Sequence, residues 1–176
     1  MKRRVKANFD RLMVFRGYKE IEEGDDYFIY CNGKIKIGMM YIESDEGKDY
    51  IGAISLKIFI MRMISLNMRR SILVSKKALC SKTRSMVAEF LNYLYIEFIT
   101  TIELDYPVVD NILSFRVYKV DNKKELLEKL NIKNPKKELS RINIDDPICI
   151  YNDFMESDII CVNEGSEITY KIVSRV

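Results

Sequence analysis

Histidine and tryptophan are both absent from this chain, and each absence narrows what it can do. Without histidine, proton transfer near neutral pH falls to a carboxylate, lysine, tyrosine or cysteine with a displaced pKa. Zinc sites built on imidazole are excluded, and an all-cysteine site needs close pairs that the sequence lacks. Cys31, Cys80, Cys149 and Cys161 are widely separated, with no CxxC pair, which points to reduced thiols in the cytosol or nucleus. No apolar run approaches the roughly 20 residues of a membrane span, so no membrane partner is expected. The basic start, Met1-Lys2-Arg3-Arg4-Val5-Lys6, is not followed by the apolar segment of a secretory signal. No metal and no cofactor is expected.

What is present suits a folded chain of one large or two small domains: 176 residues, 48% apolar and 31% charged. The net charge of +3 hides a segregated layout. From Lys57 to Ala88 there are eight bases (Lys57, Arg62, Arg69, Arg70, Lys76, Lys77, Lys82, Arg84) and no acid. From Glu89 to Phe115 the sign inverts, and from Asp145 to Tyr170 the chain is again acidic only. Such blocks can be solvated faces. A basic field thirty residues long also suits a polyanion such as a nucleic-acid backbone.

Hydrophobic spacing predicts alternating helices and strands. Val5, Phe9, Leu12 and Met13 recur at helical spacing, with Gly17 as a left-handed stop. Two strands, Tyr27 to Cys31 and Lys34 to Ile42, flank Asn32-Gly33. Ser55 is expected to cap a helix towards Asn67, whose apolar residues are too dense to name one face. Ser71 to Ser75 reads as a buried strand. Ser81 is expected to cap a helix carrying Met86, Val87, Phe90, Leu91 and Leu94, and the alternation from Ile96 to Leu104 predicts a strand ended by Tyr106-Pro107. Beyond Val109, Asp121-Asn122 caps a short helix, Leu139 to Ile144 is extended, and Asp146-Pro147 starts a helix. A hairpin of Asp158 to Asn163 with Ile168 to Val173 closes the chain. These elements predict an α+β fold: a mixed-sheet N-terminal domain over 1–109 and a smaller α+β domain over 110–176.

Four segments then carry a resemblance: Leu139-Ser140-Arg141-Ile142, Asp145-Asp146-Pro147, the Ile159-Ile160 strand, and Ser166-Glu167-Ile168-Thr169-Tyr170-Lys171. In order and spacing they resemble the C-terminal signature of the fifth common subunit of eukaryotic nuclear RNA polymerases, which reads approximately LPRI, xDPVARY, GQVVKI, RPSE and TYR. Arg62-Met63 and Arg70-Ser71-Ile72-Leu73-Val74 fall in the same order upstream, so the likeness runs from about Ser55 to the end. The resemblance implies a non-catalytic subunit in the nucleus. Its N-terminal half would form part of the polymerase's lower jaw near downstream duplex DNA. Its C-terminal half, similar to a small subunit of archaeal polymerases, would dock on the largest subunit. Lys76, Lys77, Lys82 and Arg84 are then the expected DNA-side contacts. Arg141, Asp146, Pro147, Ile159, Ile160 and Tyr170 are the expected largest-subunit residues.

The chain also departs from that pattern. Ser140 replaces the proline of LPRI, Glu164-Gly165 replaces Arg-Pro, and Cys80-Ser81-Lys82-Thr83 stands where the family has Thr-Pro-Ser-Ala. A Pro-Glu-His element near Ser114-Phe115-Arg116 is missing, and the region after Gly17 and the final hairpin are short, as in a compacted lineage. Two rivals remain. A free-standing nucleic-acid-binding module would use the same basic block. A metal-dependent nuclease of the restriction type would need an acid and a Glu-x-Lys on adjacent strands; the chain offers Asp26 with Lys34 or Lys36 and lacks the triplet.

Overall fold

The computed structural model describes residues 3–43, 49–105, 116–165 and 167–175. The expected boundary at Val109, the Tyr106-Pro107 stop, Ser114-Phe115 and Ser166 lie outside them. The fold is α+β, and the chain divides into two compact units, Met1–Tyr106 and Pro107–Val176.

The first unit runs α1 (Arg3–Phe15), β1 (Lys19–Glu23), β2 (Tyr27–Cys31), β3 (Lys36–Ile42), β4 (Tyr50–Ile51), α2 (Ala53–Ser65), β5 (Arg70–Ser75), β6 (Ala78–Leu79), α3 (Ser81–Phe90), β7 (Tyr95–Thr100) and α4 (Thr101–Asp105). Its main sheet has the order β1-β2-β3-β5-β7. β1, β2 and β3 form an antiparallel meander, and β3, β5 and β7 are parallel. Parallel neighbours need crossovers, which α2 and α3 supply. Both cover one face: Leu56, Phe59, Ile60 and Met63 of α2 pack with Ile29, Met40, Leu73 and Ile96 of the sheet, and Met86, Val87 and Phe90 of α3 close the cluster. The other face receives Val5, Phe9, Leu12 and Met13 of α1, with Phe9 edge-on to Tyr30 at 5.4 Å. Covering both faces explains why Phe28, Ile29 and Tyr30 are all buried in succession.

α1 ends in a Schellman arrangement. Gly17 takes φ 80°, Tyr18 N–H donates to the Met13 carbonyl at 2.8 Å, and Gly17 N–H donates to that of Val14 at 3.0 Å. The same pair of bonds ends α2 at Asn67, where an asparagine tolerates the left-handed region. At its other end α2 begins after Gly52, so Ser55 lies inside the first turn rather than at the cap. Immediately before Gly17, the buried Arg16 guanidinium forks onto Glu97 of β7, with nitrogen–oxygen distances of 3.0 and 2.5 Å. Arg4 and Asn8 hold Asp105 at 3.2 and 2.8 Å, tying α1 to α4.

The second unit comprises β8 (Arg116–Lys119), α5 (Lys123–Lys129), α6 (Pro135–Glu138), β9 (Ser140–Asn143), α7 (Pro147–Asn152), β10 (Ile159–Glu164) and β11 (Glu167–Ser174). The sheet order is β8-β10-β11-β9, antiparallel except that β11 and β9 are parallel. Ile142, Ile160, Val162 and Val173 on one face pack with Cys149 of α7 and with Phe154. Asp158 pins this unit. It is buried, accepts from the Met155 N–H at 2.9 Å, and pairs with Lys119 and Lys123 at 2.9 Å each.

Burial pushes the Asp158 carboxyl up, but bonds from Lys119, the Met155 N–H and Lys123 outweigh it and hold it below the usual carboxylate range. A depressed folded pKa adds stability that is fully present above the unfolded value of about 3.9 and is lost as pH falls through the folded one. Asp158→Asn should therefore cost about 1–3 kcal/mol at pH 7 and flatten the loss of stability below about pH 4. Urea denaturation of both proteins at pH 7 and pH 3 measures this; an equal acid loss in the variant would assign the effect to other carboxylates.

Candidate functional site

β5 is buried along its length and ends at Ser75, whose hydroxyl accepts from the Lys77 N–H at 3.2 Å. The chain turns through Lys76 and Lys77, and β6 then pairs with β4 through Tyr50↔Ala78 and Ile51↔Leu79. Cys80 stands at the N-cap of α3 in extended conformation, and its side chain makes no cap bond. Ser81, the expected cap, is the first helical residue instead. Lys82 and Arg84 occupy the first turn, where no acidic residue accompanies them. Lys76 and Lys77 thus lie on one side of the two-residue β6, and Lys82 and Arg84 on the other.

Cations in the first turn oppose the helix macrodipole, whose positive end is there. Local stability therefore disfavours Lys82 and Arg84 where they stand. The same arrangement concentrates positive potential, because free N–H groups and cationic side chains add their fields at one end of the helix. Phosphate oxygens are the chemical group such a field attracts.

Charge pairing separates the basic block from the acidic ones. In the acidic segment after Glu89, Glu97 is consumed by Arg16 and Asp105 by Arg4 and Asn8, and Glu103 accepts from the Thr100 N–H at 2.6 Å and hydroxyl at 2.8 Å. Of the basic segment, Arg62 pairs with Asp26 at 3.2 Å and lies 4.8 Å from the Tyr27 ring. Arg70 reaches the Tyr18 hydroxyl at 3.4 Å, and Lys77 bonds Asp49 at 2.5 Å. Lys76, Lys82 and Arg84 are exposed and form no ion pair among the described residues. Three of the four expected DNA-side residues are thus open, and the fourth, Lys77, is half-buried and held by Asp49.

In the second unit the expected partner residues fall into different environments. Asp146 caps α7, accepting from the Ile148 N–H at 2.9 Å, with Pro147 in the first turn, as the sequence predicts. Arg141 lies exposed on β9, an edge strand of its sheet, and donates to the Lys136 carbonyl at 3.0 Å. Tyr170 is half-buried in a cross-strand row with Cys161 and Tyr118. Ile159 and Ile160 are 2% and 0% exposed and serve the unit's own interior.

The nuclease candidates do not meet. Asp26 precedes β2, whereas Lys36 opposes Cys31 at the far end of the hairpin and Lys34 lies in its turn. That separation is about 15 Å at the rise of a strand. Asp26 instead lines a cavity of about 500 Å³ together with Lys6, Asp10, Asp25 and Tyr41. Among the described residues no group of three or more His, Cys, Asp or Glu could hold a metal ion, and no helix is long and apolar enough to cross a membrane. No protein-family profile matches the sequence, and neither does any curated protein.

Sequence reading alone does not single out Cys80 as a reactive group. The Thr83 hydroxyl, 3.4 Å from its Sγ, holds the thiol below its ordinary value, helped by the nearness of the unbonded Thr83 and Lys82 N–H groups at the helix start. Burial does the opposite to Cys149, pushed up to about 12. Under limiting iodoacetamide near pH 7, Cys80 should be alkylated well before Cys149 and Cys161, as peptide mass mapping would record. Labelling of Cys149 first would contradict the thiolate assignment.

Proposed function

We propose that this chain is a non-catalytic subunit of a nuclear DNA-directed RNA polymerase, of the kind that the fifth common subunit represents. The C-terminal unit docks on the largest subunit. The N-terminal unit lies in the lower jaw and presents the Lys76–Arg84 segment to the backbone of downstream duplex DNA.

The observation that carries the reading is the convergence of the scattered signature within one small unit. β9, with Ser140-Arg141-Ile142, lies parallel to β11, with Thr169-Tyr170-Lys171, in the register Lys171↔Ser140 and Val173↔Ile142. Asp146-Pro147 starts the helix whose Cys149 packs on the same sheet as Ile160. Segments thirty residues apart in sequence are therefore neighbours, as one assembly module requires. Arg141, exposed on an edge strand, is the proposed partner contact; Asp146 and Pro147 shape the surface, and Ile159 and Ile160 pack in the interior. The open cations around β6 support the DNA-side role, because backbone contact needs charge and no base-reading side chain.

Affinity purification of the tagged chain from its own cells, with mass spectrometry of the eluate, tests the assignment. Large polymerase subunits should co-purify; a chain recovered alone would sink the reading. For the DNA side, Lys76, Lys82 and Arg84 changed together to Ala should weaken the assembled polymerase's hold on downstream duplex equally across sequences. The slope of log K against log salt should fall by about one for each phosphate no longer neutralised, while Lys77→Ala alone changes it least. An unchanged slope in the triple variant would leave these residues as a solvated face.

A further inference from the structure

α2 is apolar on both sides. Leu56, Phe59, Ile60 and Met63 face the sheet and are buried. On the opposite side Ile54, Ile58 and Met61 are 74%, 54% and 71% exposed, and Ile64 beside them is 51% exposed. A helix apolar all round is normally enclosed, yet among the described residues this one is covered on one side only. The density that hides a single face in the sequence is thus two stripes, one for the core and one to spare. Solvation alone would place charged residues there, as it does on β1, whose Lys19, Glu20, Glu22 and Glu23 are exposed.

The spacing and charge of the stripe say what fits it. Ile54, Ile58, Met61 and Ser65 recur at four, three and four, the alternation of a coiled-coil seam, over about 17 Å of helix axis. The seam is flanked by Lys57 on one side and Arg62 on the other, and α2 contains no carboxylate. Lys57 forms no ion pair among the described residues, while Arg62 is shared with Asp26. A second copy of α2 would bring like charges to both flanks. A helix with aliphatic seam residues and acidic flanks meets apolar surface with apolar surface and cation with carboxylate.

The geometry points to α2 as the docking site for an acidic amphipathic helix of a partner protein, laid along Ile54, Ile58 and Met61 with its carboxylates at Lys57 and Arg62. The site is separate from the basic segment around β6 and does not depend on the polymerase assignment, since the isolated chain suffices to test it. Fluorescence anisotropy of two labelled 21-residue peptides makes the test, both with leucine at the seam, one with glutamate and one with lysine at the flanks. The glutamate peptide should bind the full chain at least tenfold more tightly than the lysine peptide, with the gap narrowing as salt rises. Ile58→Glu with Met61→Glu should abolish binding while leaving the thermal melt in place, because both side chains face solvent. Lys57→Glu, which keeps the apolar seam, should shift preference towards the lysine peptide. Equal affinity for the two peptides, or none for either, overturns the proposal. So does self-association in sedimentation that the double variant removes, which would assign the stripe to a second copy. Binding to phosphatidylserine-containing vesicles lost in the same variant would assign it to a lipid surface instead and would equally overturn it.

Discussion

The buried pair of Arg16 and Glu97 is the constraint around which the first unit is arranged. It joins the residue after α1 to the middle of β7, the strand at the far edge of the sheet, across most of the unit's sequence. Gly17 ends the helix at once, so the guanidinium lies at a helix C-terminus, where a cation is favoured. Such a pair adds little beyond a well-packed apolar substitute, but removing one partner strands a buried charge at a cost of about 3–5 kcal/mol. The pair thus ties the C-terminal end of α1 to β7. With α1 fixed, Arg4 and Asn8 reach Asp105, and the Phe9–Tyr30 contact follows.

This arrangement gives the acidic block a different meaning from the basic one. Runs of one sign look alike in sequence, yet the carboxylates after Glu89 are largely internal fasteners, whereas Lys76, Lys82 and Arg84 are left without ion pairs among the described residues. The rigid part ends at the last residue of β5, and the cations begin at the next. A parallel strand buried on both faces, followed by a turn stitched down by the β4–β6 bridge, is a stiff mount for exposed charge. Stiffness matters because ordering long cationic side chains on a mobile loop would cost binding free energy.

Much of this is legible in the residues, for local reasons. Gly17 and Asp146-Pro147 act through their own backbone chemistry and behave as their types dictate, a helix stop and a capped helix start, whereas Asn32-Gly33 opens a four-residue turn over 32–35 with Gly33 at φ 90°, so β3 starts at Lys36 rather than Lys34. β1 leaves no trace in the periodicity because Lys-Glu-Ile-Glu-Glu has no apolar alternation; it is an exposed edge strand, bulged at Ile21 and specified only by pairing with β2. β8 is hidden for a similar reason: Arg116 to Lys119 carries no buried residue, and pairing with β10 defines it. Ile96 to Leu104 reads as one strand by period two, yet the chain turns helical at Thr101. The signal for that turn is Thr100-x-x-Glu103, a capping box in which each residue bonds the other's N–H. Apolar period and cap chemistry conflict there, and cap chemistry prevails.

The two places where the chain departs from local stability are its most informative ones. Lys82 and Arg84 sit where the α3 dipole disfavours them, and Ile54, Ile58 and Met61 sit where water does. Elsewhere the sequence follows the rules closely: four helices end with Gly17, Asn67, Asn131 or Asp153 in the left-handed region, each satisfying the same pair of carbonyls. Both surfaces are exposed. One surface is cationic and polar and the other apolar with cationic flanks, so a single ligand cannot meet both demands. As proposed ligands, an anionic backbone would suit the first and an acidic amphipathic helix the second.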